Sequence, residues 1–392
     1  MDSKNKLFSA EFIAINLIVF LNYCNIALFF YFSQYLASIG ISGDWSGFLI
    51  AIFSLVILLI RPVISPFSNP ENSRTWLIAS TFAIMVALLC YGWALDVISM
   101  TLVRIFHGVA YVVMTVAITS RMVASIPVEK SSLAFSIVSV ISLLPYAMVP
   151  PGVVYATDAL GSFPRALGLG ALLMGLTFPL LALIPDPEDT RGKSRQSGLS
   201  ASEMKKNLMD VGIIVVLLVA VVVWTTYAPV FFFLTKFGDS IGVANPGLFF
   251  TISSLAEIGI RLVGGRFMDR GNKPILLMAA VSWLGVCYFV MGWFIQSEYP
   301  FYVMGLLMGL GWGLVMPLLS SIVFDISEPR FRAFNTNITF QMFQLGFFIG
   351  PIAGTVLIQS GGFSMLFIAG SSVLFLSAIL ALGVFRRHPV SH

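Results

Sequence analysis

The chain has 392 residues, of which 58% are hydrophobic and 10% are charged. Soluble domains carry about 25% charged residues, and a soluble fold of this length could not hide so much apolar surface, so we expect lipid to be its solvent. The net charge of +4 is spread thinly between apolar runs, which argues against a nucleic-acid-binding surface and indicates that the basic residues set membrane topology.

Long apolar runs follow one another along the chain, and each has about the 20 residues that a helix needs to cross a bilayer. The first run follows Lys4 and Lys6 and is too long for the apolar part of a signal peptide, so we expect it to be retained. We predict an all-α membrane protein with twelve transmembrane helices, at residues 9–37, 45–67, 75–95, 97–121, 131–156, 163–184, 208–236, 246–268, 274–296, 299–325, 332–359 and 363–385.

The basic residues predict which side of the membrane each loop faces. With both termini in the cytoplasm, the inner loops and tails hold 19 of the 22 Lys and Arg residues. The outer loops hold Arg165 and Lys236, and Arg104 lies within span four. Since cytoplasmic loops of membrane proteins carry an excess of Lys and Arg, this distribution favours twelve spans with both termini inside.

A polar stretch in the middle of the chain divides the spans into two groups of six. We predict an N-terminal six-helix bundle at residues 1–185, a flexible cytoplasmic linker at 186–207 and a C-terminal six-helix bundle at 208–392. The two halves also repeat, since a shift of 200 residues places Ile60 and Arg61 on Ile260 and Arg261. Transporters built from parallel repeats bind their substrate near the bilayer midplane, between the repeats.

The loop after span eight carries Gly265, Asp269, Arg270 and Lys273. It resembles the G-x-x-x-D-R-x-G-R/K cytoplasmic motif of the major facilitator superfamily, with one residue missing before the second glycine. The resemblance covers the whole chain and implies two pseudo-symmetric six-helix halves, transport by alternating access, and a cytoplasmic lock that opens and closes. We therefore predict a gating motif formed by these four residues together with Arg61 and Arg261.

Two further segments are similar to motifs of the same family. Residues 104–108 of span four resemble an R-x-x-x-G motif associated with proton coupling in exporters, and residues 346–354 of span eleven resemble a glycine-rich antiporter motif. The corresponding place in span five, residues 148–152, keeps a proline but lacks the glycines. The general likeness is to sugar- and drug-efflux permeases, which favours export without fixing the direction.

Glu257 lies near the middle of span eight, surrounded by apolar residues. Ionisable groups inside a bilayer are costly and usually serve a function. Loss of hydration favours the protonated form of a carboxyl group, which suits a proton carrier. The alternative is a structural ion pair with Arg261, one helical turn away.

Arg104 begins a polar stripe on span four that continues with His107, Tyr111 and Thr115 at helical spacing. Arg104 is a candidate to bind an anionic group of the substrate or to hold a partner carboxylate, with Glu257 as one possibility. The alternative is a structural bond to a neighbouring helix, for example to the asparagines of span one. His107 titrates near physiological pH, so we consider it both as a second proton-coupling residue and as a histidine that is simply hydrogen-bonded.

Other polar and aromatic residues recur at helical spacing on several spans. In the family, spans one, four, seven and ten line a central cavity, which favours the candidates of spans one and seven. For the amides of span eleven we slightly favour the alternative that they form hydrogen bonds between helices. With the residues above, the predicted substrate-binding set is Asn22, Asn25, Arg104, Tyr111, Trp224, Tyr227, Gln341 and Gln344.

Two patterns in span ten have a simpler explanation than a binding site. Met304, Met308 and Met316 could suggest a soft metal, but methionines are common packing residues in apolar chains. The spacing of Gly305, Gly309 and Gly313 predicts a face for close helix packing.

The sequence has no catalytic set, no phosphate-binding loop and no cofactor or metal motif. We therefore predict that the chain is not an enzyme and that it transports a small organic solute, coupled to protons, across a bacterial cytoplasmic membrane. A monomer would suffice for this. Two alternatives remain: a proton-coupled importer of an organic anion, with Arg104 holding the carboxylate, and a membrane scaffold or sensor that transports nothing.

Overall fold

The computed structural model describes residues 8–41, 43–68, 70–125, 131–184, 201–270, 272–328 and 331–387. Within these residues all regular structure is helical, without strands. The chain divides into two compact units, residues 1–191 and 192–392.

In the first unit, α5 is packed against α3 and α4, and α1 is packed against α6. Short 3₁₀ turns follow α1 and α3, at Leu28–Tyr31 and Ser65–Phe67. The helices are α1 (Ala10–Ala27), α2 (Phe32–Ser38), α3 (Gly43–Ile64), α4 (Pro70–Cys90), α5 (Val97–Ser125), α6 (Ser131–Leu160), α7 (Phe163–Gly175) and α8 (Thr177–Leu181).

In the second unit, α14 packs against α10 and α12, while α11 packs against α13. The helices are α9 (Ala201–Leu208), α10 (Val211–Ser240), α11 (Leu248–Arg270), α12 (Lys273–Trp293), α13 (Glu298–Ile326) and α14 (Arg332–Arg387). The last is interrupted at Gly361 and Gly362, where Gly362 has a φ of 70°. Glycine adopts this left-handed conformation without steric cost, and the interruption lies between predicted spans eleven and twelve.

Ten helical segments of the described residues are long and apolar enough to cross a membrane. One of them, Phe334–Leu382, covers most of the last two predicted spans, which lie on either side of the glycine break. Predicted span eight corresponds to α11, which is not among the ten and carries Glu257 and Arg261 in its middle. The total of twelve spans and the cytoplasmic position of the termini stay predictions.

The predicted linker, residues 186–207, lies outside the described residues as far as residue 200. Its last part differs from the expectation of a flexible chain, because Ala201–Leu208 form α9. Ala, Glu, Met, Lys and Leu are good helix formers. Glu203 lies in the first turn, and Lys205 and Lys206 in the last, so the charges also complement the helix dipole.

The glycines of α13 confirm the predicted close-packing face. A Cβ atom added to Gly309 would lie 2.3 Å from the carbonyl oxygen of Ser253, and one added to Gly313 would lie 2.9 Å from the Cα of Glu257. The backbones of α11 and α13 therefore approach each other at van der Waals distance, which only glycine permits. This crossing fixes the position of Glu257, the main candidate in the second unit.

Candidate functional site

Arg104 is 2% exposed and lies where α5 crosses α3. Its Nε donates to the carbonyl oxygen of Leu49 at 2.9 Å, its Nη2 donates to that of Ile50 at 2.8 Å, and its Nη1 lies 3.5 Å from the Tyr91 hydroxyl. No acidic side chain of the described residues pairs with it. The charge is instead stabilised by backbone dipoles and by three aromatic rings at 4.7 to 5.0 Å, those of Phe29, Phe32 and Phe53.

His107 lies one turn further along α5 and is completely buried. Its Nε2 lies 3.1 Å from the Asn25 Nδ2 of α1, and its Nδ1 lies 3.2 Å from the Tyr91 hydroxyl. With the Asn25 amide donating to Nε2, the neutral ring carries its proton on Nδ1 and donates it to Tyr91. The structure therefore brings Asn25, Arg104 and His107 of the predicted set together, around Tyr91 as a shared partner.

The rest of the predicted set in the first unit lies further along the same helices. Tyr111 is buried, its ring lies 5.4 Å from that of Phe53, and its hydroxyl interacts with the side chain of Asn22. Thr115 donates back to the Tyr111 carbonyl oxygen at 3.0 Å. The predicted polar stripe thus faces the interior of its own unit, bonded to α1, α3 and its own backbone.

Glu257 and Arg261 form an ion pair on α11. Glu257 Oε2 lies 3.2 Å from Arg261 Nη2, and the two side chains are 8% and 18% exposed. Arg261 Nε also donates to the carbonyl oxygen of Gly313 on α13 at 3.2 Å. Arg261, predicted as a gating residue, is therefore in contact with the proposed proton carrier and with the close helix crossing.

Five aromatic side chains of α10, α13 and α14 form what we call the aromatic cluster. Within it, Trp224 contacts Phe343 and Tyr227 contacts Trp312, each with ring centroids 4.6 Å apart and rings nearly perpendicular. Glu257 and Arg261 act electrostatically on the Tyr227 hydroxyl, so the cluster adjoins the ion pair. Its members are Trp224, Tyr227, Trp312, Phe343 and Phe347.

The predicted amides of span eleven lie near the start of α14. Gln341 and Gln344 are partly buried, and the side-chain oxygen of Gln341 is buried without a hydrogen-bond partner among the described residues. Gly346, two residues beyond Gln344, lies so close to α10 that an added Cβ would be 2.4 Å from that of Trp224. This close approach brings the aromatic residues of α14 against those of α10.

The predicted gating motif is described only in part. Gly265, Asp269 and Arg270 belong to α11, but the Asp269 and Arg270 side chains are outside what the structure describes. Lys273 pairs with Asp325 of α13 at 2.6 Å. Arg61 lies partly buried in the last turn of α3.

A second ion pair at a helix end joins Glu11 of α1 to Arg121 of α5 at 2.7 Å. Neither Glu11 nor Asp325 was predicted from the sequence as a site residue. Each is an acidic residue at the end of an apolar run, which is a recognisable signal, but the partner is far away in the sequence.

Tyr91 and Trp312 were also missed as site residues, for a different reason. Tyr91 follows the end of α4, outside any polar stripe, and Trp312 lies between the glycines of α13. A large aromatic residue inside a stripe of glycines is the one sequence signal that singles out Trp312.

The sequence matches the profile of the Major Facilitator Superfamily over residues 15–270 and 241–392. It is 31% identical over 157 residues to an uncharacterized MFS-type transporter, YuxJ, of Bacillus subtilis (strain 168), which covers 40% of this chain and 39% of that protein. It is 28% identical over 165 residues to a Na(+), Li(+), K(+)/H(+) antiporter of Planococcus maritimus, with coverage of 40% and 38%. The chain thus spans about two fifths of the length of the curated relatives that it matches.

Solved transporter structures are similar to the chain over nearly its whole length. The nucleoside transporter NupG superimposes with a TM-score of 0.75 at 16% identity, covering 96% of this chain and 99% of that one. A POT family transporter in complex with a thioalcohol-conjugated peptide gives 0.76 at 13% identity, with 97% and 96% covered. A bacterial homologue of the human lysosomal transporter Spinster, inward-facing and unoccupied, gives 0.73 at 13%, with 95% and 94% covered. At these identities the likeness concerns the fold alone.

Proposed function

Because the chain belongs to the major facilitator superfamily, a family of transporters and not of enzymes, we propose that it is a secondary active transporter of a small organic solute. The proposal comprises alternating access, coupling to protons through Glu257, a position in the bacterial cytoplasmic membrane with both termini inside, and a monomeric state. Export is the favoured direction, on the general likeness to sugar- and drug-efflux permeases.

The observation that carries proton coupling is the geometry of the Glu257–Arg261 pair. The carboxylate is 8% exposed and has one cationic partner among the described residues, at 3.2 Å on the same helix. Loss of hydration favours the neutral form of a buried carboxyl group, and Arg261 is the described cationic partner that favours its charged form, so a proton can take the place of Arg261 as the group that neutralises Glu257. The proton also frees Arg261 from this partner, at a crossing where its Nε is bonded to α13. Protonation is thereby linked to the packing of α11 on α13.

The test uses purified protein reconstituted in liposomes that contain a pH-sensitive dye. Sugars, amino acids, carboxylates, organic cations, uncharged aromatic compounds and alkali-metal salts are added in turn to wild type and to Glu257→Gln. We expect a solute-dependent pH change in wild type that is lost in Glu257→Gln, because the amide cannot carry a proton. The sign of the change distinguishes antiport from symport.

Glu298→Gln is the matched control, since Glu298 is a glutamate of the same unit whose carboxylate accepts from Tyr302 and from the backbone of Ala244. It should keep the wild-type pH change. Solute transport by wild type and Glu257→Gln at equal rates, without proton movement, would show that Glu257 is structural. A wild-type protein that moves none of these solutes would favour the scaffold or sensor alternative.

A second candidate function is the exchange of alkali-metal cations for protons. It is favoured by the partial similarity to the antiporter of Planococcus maritimus, and the alkali-metal salts in the panel test it directly. The import of an organic anion through Arg104 has less support, because two of its nitrogens donate to backbone carbonyls at 2.9 and 2.8 Å. This bonding supports a structural role for Arg104.

A further inference from the structure

We propose that the aromatic cluster of the second unit binds an uncharged, planar aromatic solute that carries a hydrogen-bond acceptor. This inference rests on the proposed transport function and names the class of solute. Three properties of the cluster lead to it: the arrangement and exposure of its rings, the indole N–H of Trp312, which has no acceptor within the part of the chain that the structure describes, and the balance of charge beside Tyr227.

The rings form a continuous array with accessible members. Phe343 and Phe347 are stacked, with centroids 4.3 Å apart and an interplanar angle of 23°, and Trp224 presses its edge against Phe343. Trp224, Tyr227 and Phe343 are each partly exposed. Aromatic rings attract one another in stacked and edge-to-face arrangements, so a flat ring can extend this array where an aliphatic molecule of equal size cannot.

The indole N–H of Trp312 supplies a specific polar contact. Trp312 is 4% exposed, and its Nε1 is buried without a hydrogen-bond acceptor among the described residues. Buried tryptophans usually find an acceptor, and even the exposed Trp283 donates to the carbonyl oxygen of Leu307 at 2.8 Å. The Trp312 ring contacts Tyr227 directly, so the indole that carries this unpaired donor is itself a member of the cluster. A carbonyl or ring nitrogen of a ligand is the chemistry that would satisfy it.

The charges beside the cluster favour an uncharged ligand. The charged groups that act on the Tyr227 hydroxyl are Glu257 and Arg261, which carry opposite charges and already pair with each other. An added cation or anion would leave one charge without a partner in an apolar interior, which is unfavourable. An uncharged ligand leaves the pair intact and leaves Glu257 available for a proton.

The experiment measures binding of matched probes to the purified full-length protein in detergent by equilibrium dialysis. Nicotinamide, the N-methylnicotinamide cation and nicotinate share one ring and differ in charge, while cyclohexanecarboxamide keeps the amide without the aromatic ring. The corresponding quinoline carboxamide, its N-methyl cation and its carboxylate repeat the comparison with a larger ring. We expect the uncharged aromatic amides to bind more tightly than the charged and the saturated probes.

Two variants locate the site. Trp312→Phe keeps an aromatic ring and removes the N–H, so it should weaken binding of the amides roughly 2- to 12-fold, the value of one hydrogen bond. Trp283→Phe removes an indole N–H outside the cluster and should leave affinity unchanged. Trp224→Leu, which keeps an apolar side chain but removes the ring, should also weaken binding, and the thermal unfolding of each variant checks that it is folded.

The inference is overturned if charged probes bind as well as uncharged ones, if no probe of either series binds, or if Trp312→Phe behaves like Trp283→Phe. These results would leave the transport proposal standing, because the pH-dye assay in liposomes tests it with other solutes. Conversely, uncharged amides that bind the cluster in detergent without any solute-dependent proton flux in liposomes would contradict proton coupling alone.

Discussion

Replacement of Gly309 by alanine tests the close crossing of α11 and α13. The added Cβ would lie 2.3 Å from the Ser253 carbonyl oxygen, 2.6 Å from its Cα and 2.8 Å from its carbonyl carbon. Ordinary van der Waals contact begins near 3.4 Å, so the distance of 2.3 Å to the carbonyl oxygen is about 1.1 Å too short for contact. All three atoms belong to the backbone, which no side-chain rotation can move, so the two helices must separate by about 1 Å.

The expected cost follows from this separation. Overpacking of a well-packed core destabilises a protein by about 1 to 3 kcal/mol, and each kcal/mol lowers the melting temperature of a unit of this size by about 2 to 4 °C. We therefore expect Gly309→Ala to melt roughly 2 to 12 °C below wild type. Intrinsic tryptophan fluorescence during a thermal scan of the purified protein in detergent measures this shift.

Gly259→Ala is the matched control, on α11 itself. An added Cβ at Gly259 has no neighbour within 4 Å, and alanine in a helix interior is favoured over glycine by about 0.5 to 1 kcal/mol. Its melting temperature should therefore stay the same or rise. Equal melting temperatures for wild type and Gly309→Ala would show that the two helices are further apart than described here.

Three further predictions concern charged residues. Lys273 and Asp325 are partly exposed, so a double-mutant cycle should give a coupling of about 0.2 to 1 kcal/mol that salt weakens; a larger, salt-independent value would contradict a surface pair. Hydrogen bonds from the Ser99 side chain and backbone lower the pKa of Asp96, so its contribution to stability is present above the ordinary Asp pKa of about 3.9 and is lost as pH falls through the lowered value. Asp96→Ala should thus lower the melting temperature at pH 7 more than at acid pH. Asp96→Asn should lower it less, because the asparagine oxygen can still accept the backbone N–H bonds at the start of α5. Arg104→Lys should melt well below wild type, since the single nitrogen of an ammonium does not reproduce the rigid pair of nitrogens that bonds the two backbone carbonyls, and each lost bond costs about 1.5 to 3 kcal/mol; near-normal melting would contradict a structural role.

The helices were predictable from the sequence because lipid imposes a minimum length on every span. Observed and predicted ends differ most for the third predicted span, which was expected at 75–95 and corresponds to α4, Pro70–Cys90. Proline is common in the first turn of a helix, where its missing N–H costs nothing, but hydropathy does not detect this. The loop after Cys90 contains Trp93 and Leu95, whose apolar side chains extended the predicted span beyond the true end.

The candidate site was predictable where a charge or a polar stripe interrupts an apolar run, as for Asn25 and His107. Glu257 and Arg104 were found in this way, and the spacing of Glu257 and Arg261 identified the ion pair as an alternative to be tested. The aromatic cluster was not predictable, because aromatic residues are frequent in this chain and the contact between α10, α13 and α14 depends on packing over long sequence distances. Trp224 and Tyr227 were selected from one helix, without the partners that the other two helices supply.

Arg104 and Glu257 give the same signal in the sequence, a charge inside an apolar helix, yet their surroundings support different roles. Arg104 is held by backbone carbonyls of another helix and by three aromatic rings, and a guanidinium group stays protonated in proteins. The contacts of Arg104 therefore do not change through the gain or loss of a proton. Glu257 has one cationic partner among the described residues, on its own helix, and in the function proposed above it exchanges a proton. A charge inside a membrane helix indicates that the residue serves a purpose. The number and permanence of its partners then indicate whether the residue stabilises the fold or takes part in a conformational change.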